Sequence, residues 1–363
     1  MSQGSRENSG MKDEIAARTP FRIVNSVAPT RIVDNGGWTD TWFARYGSVF
    51  NIAVAPYAEV QIQVFAATED DERIMVSAEN YGERFNVVPR MGGWDRHPLL
   101  EAAIAFMQVP RDLAIDISIT SEAPAGASTG TSAAVTVALI GALDRLAGGT
   151  MRPHDVACAA HHVEMEMVGL QCGIQDQICS AYGGINFIQM DRFPHATVSQ
   201  IEVADPLRWE LERRLVLIYL GRSHSSSDVH AKVISELESE GPASKRLEAL
   251  RQTAAKSRDA VAAGDFAALG RAMIENTEAQ GRLHPDLIGS GARKVIEIAR
   301  SHGAEGWKVN GAGGEGGSVS ILTGPLRGSR KAIIRDIEEE NPLYREIPVS
   351  LSRIGLHTWE GHL

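Results

Sequence analysis

The sequence predicts an α+β fold in two parts, and three observations carry that expectation. Strand-like runs crowd the chain up to Thr120, long amphipathic helical patterns fill the second half, and few strand–helix–strand alternations link the two. From Phe21, FRIVNSVAPTRIV is rich in β-branched residues and is broken by Pro29, which predicts a strand and a turn. The loop DNGGWTDTWFARYG follows. VFNIAVAPYAEVQIQVFAA then alternates apolar and polar residues around Pro56, the pattern of an antiparallel pair with a turn at the proline. Pro98–Met107 reads as a helix and Leu113–Thr120 as an alternating strand.

Beyond that strand, Ala133–Leu146 and His154–Val168 repeat apolar residues at helical spacing, and Tyr182–Met190 reads as a strand. Around Arg208–Ile218 the chain turns from charged to apolar, which places a boundary near residue 205, between domains 21–205 and 206–363. Helices are predicted over Ser227–Glu240, Ser244–Ala263 and Phe266–Arg282. A Pro and Gly break over Leu283–Ser290 precedes another helix to about Ser301. Gly306–Leu322 reads as strand, glycine turn and strand, and the tail adds a helix and the strand REIPVSLSRI. There is no internal repeat and no low-complexity segment.

Composition narrows the function. Of 363 residues, 43% are hydrophobic and 23% charged, ordinary for a soluble globular protein, and no run reaches the roughly 18 apolar residues of a membrane span. A formal net charge of −10 argues against a nucleic-acid partner, which would need clustered Lys and Arg. Cys158, Cys172 and Cys179 show no CxxC or zinc spacing, and an odd count fits a reducing cytoplasm. Residues 1–20 are polar, lack the apolar core of a signal peptide and read as a disordered leader, with Met11 an alternative start.

Pro124–Ala134 (PAGASTGTSAA) is the strongest chemical signal. Its small residues let the backbone turn tightly, and an apolar helix opens immediately afterwards, so exposed N–H groups and the helix dipole make an anion site without a basic surface. Thr131 and Ser132 add hydroxyls able to hold Mg²⁺. The plainer alternative is a loop whose Ser or Thr merely caps the helix. No GxxxxGK[ST] occurs, which excludes a P-loop NTPase. Gly311–Gly316 (GAGGEG) matches GxGxxG formally, but a strand rather than a helix follows, so the dinucleotide reading fails its context.

Phosphoryl transfer also needs carboxylates, one for the metal and one for the hydroxyl proton. Glu164 on the helix ending near Val168 and Asp176 in GLQCGIQDQI suit those tasks, against the alternatives of a solvated helix face and a helix N-cap. His161 and His162 beside Glu164 suggest a metal pair, but adjacent residues on a helix point apart.

Three segments together resemble the GHMP kinase superfamily: APTRIVDNGGWTD (Ala28–Asp40), PAGASTGTSAA, and KVNGAGGEGG (Lys308–Gly317). The resemblance covers nearly the whole chain from residue 21. It implies a ribosomal-protein-like α+β first domain, a ferredoxin-like second domain, and ATP with Mg²⁺. It also implies that Pro124, Gly126, Ser128, Thr129, Gly130, Thr131, Ser132 and Ala133 bind ATP, and that Ser132 and Glu164 hold the metal. Asp176 matches the catalytic carboxylate and Arg31 an arginine beside the attacking hydroxyl. Gly37, Trp38, Thr39, Asp40, Asp176, His224, Gly311, Ala312 and Gly313 fall on the substrate side.

GIQDQICSAYGGINFIQMD and LVLIYLGRSHSSSDV most resemble the D-glycero-D-manno-heptose 7-phosphate kinase branch and the related fucokinase domains. The expectation is therefore an ATP-dependent sugar kinase, acting on the anomeric hydroxyl of a heptose (7-phosphate) or related sugar, cytoplasmic, with oligomerisation open. The alternatives are a kinase for fucose, galactose, a uronic acid or another small alcohol, a catalytically silent sugar sensor, and a decarboxylase related to mevalonate chemistry. Three departures stand out: Ser128 and Thr129 replace the usual Gly-Leu, Trp38 replaces a glycine, and Glu315 interrupts the closing glycines. Trp38 offers a flat face for a pyranose or anchors its loop. His224 stands where the heptose branch tends to have arginine; if that arginine binds a substrate phosphate, its absence points to an unphosphorylated sugar.

Overall fold

Two sheets organise the chain in the computed structural model, which describes residues 19–68, 72–222 and 227–362. The first is built from β1 (Arg22–Asn35), β2 (Gly47–Ala66), β3 (Ile74–Ala78) and β4 (Glu83–Asn86), with β5 (Leu113–Ser121) following α1 (Pro98–Met107). The helices α2 (Thr131–Leu146), α3 (Pro153–His162) and α4 (Gln175–Tyr182) come next, then β6 (Ile185–Arg192) and β7 (His195–Gln200). The second half runs α5 (Asp205–Arg214), β8 (Leu215–Tyr219), α6 (Ser227–Glu240), α7 (Lys245–Ala262), α8 (Phe266–Leu283), α9 (Ser290–Ser301), β9 (Gly306–Val309), β10 (Ser318–Leu322) and α10 (Arg327–Glu340). Three short strands close it: β11 (Arg345–Ile347), β12 (Ser350–Leu351) and β13 (His357–Glu360).

The mixed architecture is the α+β fold that the pattern predicts. β13, β1, β2, β5, β3 and β4 lie in that order, with β6, β7 and β12 joined through β2. β12 and β13 thus return from beyond residue 205 to pair with the first sheet. The second sheet has the order β11-β8-β10-β9 and is antiparallel throughout.

Two predicted turns are absent. β1 runs unbroken through Pro29 and β2 through Pro56, because Pro29 pairs with Tyr57 and Thr30 with Val54. Both prolines therefore sit at one bulge between the two strands, where a missing ladder N–H costs least. The predicted helix 154–168 also divides. Its regular part ends at His162, and a π-helical turn, Val163–Met167, follows.

The packing follows the pattern of each element. Val137, Ile140, Ile104, Val156 and Ile178 from the first four helices cover Ile62, Ile115 and Ile117 of the first sheet. β8 is apolar at every position and buried on both faces. Val216 and Ile218 face Val295, Trp307, Ile333 and Ile337, while Leu215 and Leu217 face Leu269, Ile32, Phe50 and Ile52. That second cluster welds the two sheets together, so burial of apolar surface fixes the seam on which the site is built. Among the described residues no helix is long and apolar enough to cross a membrane.

Candidate active site

The phosphate loop leaves β5 and enters α2 through three left-handed residues, Gly126, Ser128 and Gly130, with φ of 73°, 57° and 70°. Gly130 is the N-cap of α2 and no side chain caps the helix, so the capping alternative does not hold. The first-turn N–H groups face a cleft of about 520 Å³ lined by Gly126, Ser128, Thr129, Gly130, Thr131 and Ser132. A helix N-terminus of this kind favours phosphate through its unpaired donors and its dipole. Pro124 and Ala133 do not line the cleft, and Ala133 is buried. Glycine is required at Gly130 for a second reason, because a Cβ there lies 3.1 Å from the Asp176 carboxyl.

Asp176 stands in the first turn of α4, whose N-cap is Ile174, so it is not the capping residue. Arg31 holds it with two hydrogen bonds, Nε to Oδ1 at 2.8 Å and Nη2 to Oδ2 at 3.1 Å. Arg31 is 4% exposed, and its Nη1 donates to the Ser128 carbonyl while its backbone N donates to Thr129 at 2.9 Å. Burial works against its charge, but Asp176 and then Asp34 outweigh that and hold its pKa above the ordinary arginine value.

Asp34 continues the chain of charge. Its Oδ2 lies 3.9 Å from Arg31 Nη2 and accepts the Gly311 N–H at 3.0 Å, and its Oδ1 lies 3.2 Å from Lys308 Nζ. Lys308, 1% exposed, also donates to Gln280 Oε1 at 3.1 Å. Burial lowers the Lys308 pKa, with Asp34 opposing the shift. The closing glycine motif is clamped elsewhere too: Val33 N donates to Asn310 Oδ1 at 3.2 Å, and Ser318 Oγ donates to the Ala127 carbonyl at 2.6 Å. The three segments that resemble the family therefore meet at one seam.

Glu164 sits on the π-helical turn, a feature that redirects a side chain from the regular helical face. It is 8% exposed, and burial, then Asp176, pushes its pKa up to about 7. Gln177 Nε2 donates to its Oε2 at 2.7 Å. Ser132 is exposed on the first turn of α2. Among the described residues no cluster of three or more His, Cys, Asp or Glu could hold a metal. Mg²⁺ binds through one or two protein oxygens plus substrate phosphates rather than through an all-protein cage. Ser132 and Glu164 are hard-oxygen donors of the type Mg²⁺ takes; Ser132 lines the cleft, and Glu164 is not among its lining residues. His161 is buried against Phe193 and His162 is exposed, as adjacent helical residues must be, so they form no pair.

Among the residues expected to bind substrate, Asp40 is 3% exposed, and burial pushes its pKa up to about 6 although it accepts the Gln175 N–H at 3.0 Å. Gly37 packs against Asp34 and Gln175. Thr39 is fully buried, and its hydroxyl donates to the Gly36 carbonyl at 2.7 Å, so this side chain serves the loop itself. Trp38 adopts φ 76° and lies edge-on to His230, 5.4 Å between ring centroids, beside Phe43. Those two rings are contacts by which Trp38 packs its loop. Gly311 and Ala312 line the same cleft, whereas Gly313 packs under the Leu287 carbonyl. Glu315 accepts the Ser290 N–H at 2.8 Å and so caps α9. His224 lies outside the described residues.

The cleft also holds residues that the sequence does not single out. Asn80, Tyr81 and His97 line it, and Asn80 is bonded twice to the Ser121 backbone, at 2.7 and 2.8 Å. Asp34 and Lys308 lie inside two of the three segments, and the signal available was one charge in the short strand GWKV and a second charge, three residues after Arg31, in β1.

Residues 98–184 match the family description "GHMP kinases N terminal domain". The D-glycero-alpha-D-manno-heptose 7-phosphate kinase of Campylobacter jejuni is 22% identical over 346 residues, 93% of this chain and 99% of that protein. The mevalonate kinase of Thermococcus sibiricus is 32% identical over 263 residues, 70% of this chain and 72% of that protein. A solved D-glycero-D-manno-heptose 1-phosphate kinase from Bacteriodes thetaiotaomicron superposes with a TM-score of 0.72 at 19% identity, covering 94% of this chain and all of that one (100%).

Proposed function

The chain belongs to the GHMP kinase family of ATP-dependent phosphotransferases, and from that premise we propose that it phosphorylates the anomeric hydroxyl of a heptose 7-phosphate or a closely related sugar. The observation that carries the reading is the Arg31–Asp176 pair, held at 2.8 and 3.1 Å beside the phosphate loop and the Gly311 turn. A carboxylate in that place suits the proton of an attacking hydroxyl. The proposed division near residue 205 puts the ATP loop in one domain and the closing turn in the other, so transfer takes place at their seam, in the cytoplasm.

In the proposed reaction Asp176 accepts the hydroxyl proton as the sugar oxygen bonds to the γ-phosphorus. The bond from the γ-phosphorus to its bridging oxygen breaks, and ADP leaves with that electron pair. Arg31 keeps the carboxylate aimed, and the first-turn N–H groups of α2 hold the phosphates while negative charge redistributes. Asp40 offers an acceptor for sugar hydroxyls. Mg²⁺ would be held by Ser132, Glu164 and phosphate oxygens, and when bound it neutralises charge between the β- and γ-phosphates.

The heptose preference is supported by the Campylobacter jejuni relative, matched along almost its whole length. Release of ADP from MgATP should be screened with D-glycero-D-manno-heptose 7-phosphate, fucose, galactose, uronic acids, amino sugars and mevalonate. Turnover with the heptose phosphate, and a product carrying a new anomeric phosphate by ³¹P NMR, is the expected outcome. Activity on mevalonate alone, or none on any sugar, would overturn it.

A further inference from the structure

We propose that Asp34, anchored by Lys308, is a positioning residue that holds Arg31 in place through both protonation states of Asp176, an inference that rests on the kinase reading above. Four charges form one row, buried at Lys308, Asp34 and Arg31 and opening at Asp176, which is 26% exposed: Lys308 and Asp34 at 3.2 Å, Asp34 and Arg31 at 3.9 Å, Arg31 and Asp176 at 2.8 Å. Asp34 and Lys308 are each 1% exposed, and they come from β1 and β9, one on either side of the seam.

Cohesion alone gives no reason for this pair. Removing two charges from water costs several kcal/mol per ion, and apolar residues of similar volume often serve stability as well or better. The chemistry gives one. When Asp176 takes the hydroxyl proton it loses its charge, and Arg31 loses the anion that both Nε and Nη2 address. Asp34 is then the remaining carboxylate in contact with the guanidinium. Its own orientation is fixed from the other side, because Lys308 pairs with Oδ1 while the Gly311 N–H binds Oδ2 at 3.0 Å. Gln280 ties both partners together, accepting from Lys308 at 3.1 Å and donating to the Gly311 carbonyl at 3.1 Å. Arg31 is thus braced against the closing turn rather than against the group that titrates, and the row is electrically balanced, two cations against two anions.

The test compares Asp34→Asn, Lys308→Met and the double variant Asp34→Asn/Lys308→Met with the wild-type chain. Melting midpoint, kcat and KM with MgATP and D-glycero-D-manno-heptose 7-phosphate are measured. Hydrogen exchange of the Arg31 Nε–H, assigned with Arg31→Lys, is read by NMR without any substrate. Asp34→Asn alone strands a buried lysine charge and melts early. The double variant should regain the midpoint, yet kcat stays down by about tenfold with KM for MgATP within about twofold, and Nε–H exchange stays faster. Recovery of kcat and slow exchange together with the fold would reduce the pair to a structural role and overturn the proposal.

Should the double variant not fold, Asp34→Asn in the Arg31→Lys background decides. No further loss of kcat is expected there, and losses that multiply independently would contradict action through Arg31. Turnover unchanged in Asp176→Asn would sink the reading of the base itself, and the substrate-free exchange measurement keeps that failure distinct from this one.

Discussion

Gln177 Nε2 donates to Glu164 Oε2 at 2.7 Å, so the residue that follows the proposed base holds the carboxylate proposed as metal ligand. Its other side-chain atom, Oε1, is buried with no partner among the described residues. Nε2 also reaches Cys172 Sγ at 3.8 Å, so the short bond of the amide is the one to Glu164. Outer-sphere partners of this kind typically tune metal affinity by about 10- to 100-fold. Gln177→Leu should weaken Mn²⁺ binding in the presence of ATP by about tenfold, read by electron paramagnetic resonance, with the fold retained. Unchanged Mn²⁺ affinity in the folded variant would show that Gln177 does not position the ligand.

Asp40 gives a pH prediction. Its pKa in the fold is pushed up to about 6 by burial from an ordinary 3.8. A raised carboxyl pKa means that its contribution to stability is fully present below about 3.8 and is lost as pH rises through about 6. Asp40→Asn keeps an acceptor for the Gln175 N–H and removes the buried anion. Relative to wild type it should gain roughly 3 kcal/mol between pH 4 and pH 8, by order of magnitude, in urea unfolding at the two pH values. A wild-type minus variant difference that is flat across that range would contradict the assignment.

Ser128 and Trp38 share a left-handed backbone, φ 57° and 76°, the region that favours glycine. Their surroundings differ, so the same substitution should act in opposite directions. Ser128→Gly relieves a strain of about 1 kcal/mol and should raise the melting midpoint slightly. Trp38→Gly relieves the same strain but removes an indole packed on Phe43 and His230, a loss of about 3 kcal/mol or more. Thermal unfolding of the two variants checks the pair, and equal shifts would mean that backbone strain, not packing, sets the outcome at both sites.

The reach of sequence reasoning can be seen in individual residues. The phosphate loop was legible because its signal is local: small residues need tight turns, and an apolar helical period starts beside them. α1, α6 and most strands were legible for the same reason, since period and caps lie within a few residues. Pro29 and Pro56 misled because each proline alone signals a break, and only their pairing across β1 and β2 shows a shared bulge. The meeting of Asp34 with Lys308 was invisible, as it depends on two sheets being welded by Leu215, Leu217, Ile32 and Phe50. Trp38 offered a sugar-stacking face in sequence, and its contacts with Phe43 and His230 could not be read there, because they bring a ring from a distant helix to the loop. Glu315 looked like an interruption of the glycine motif until its bond to Ser290 made it the cap of α9.

The central claim is that Asp176 handles the proton of the attacking hydroxyl in a competent ATP site. Asp176→Asn keeps the size of the side chain and an acceptor for Arg31 but has no charge to take the proton. Sugar-dependent ADP release and MgATP affinity by calorimetry should be measured on the same preparation. The expected result is turnover lowered by about a thousandfold or more with MgATP affinity within about threefold of wild type. Full turnover in the folded variant would contradict the assignment of the base.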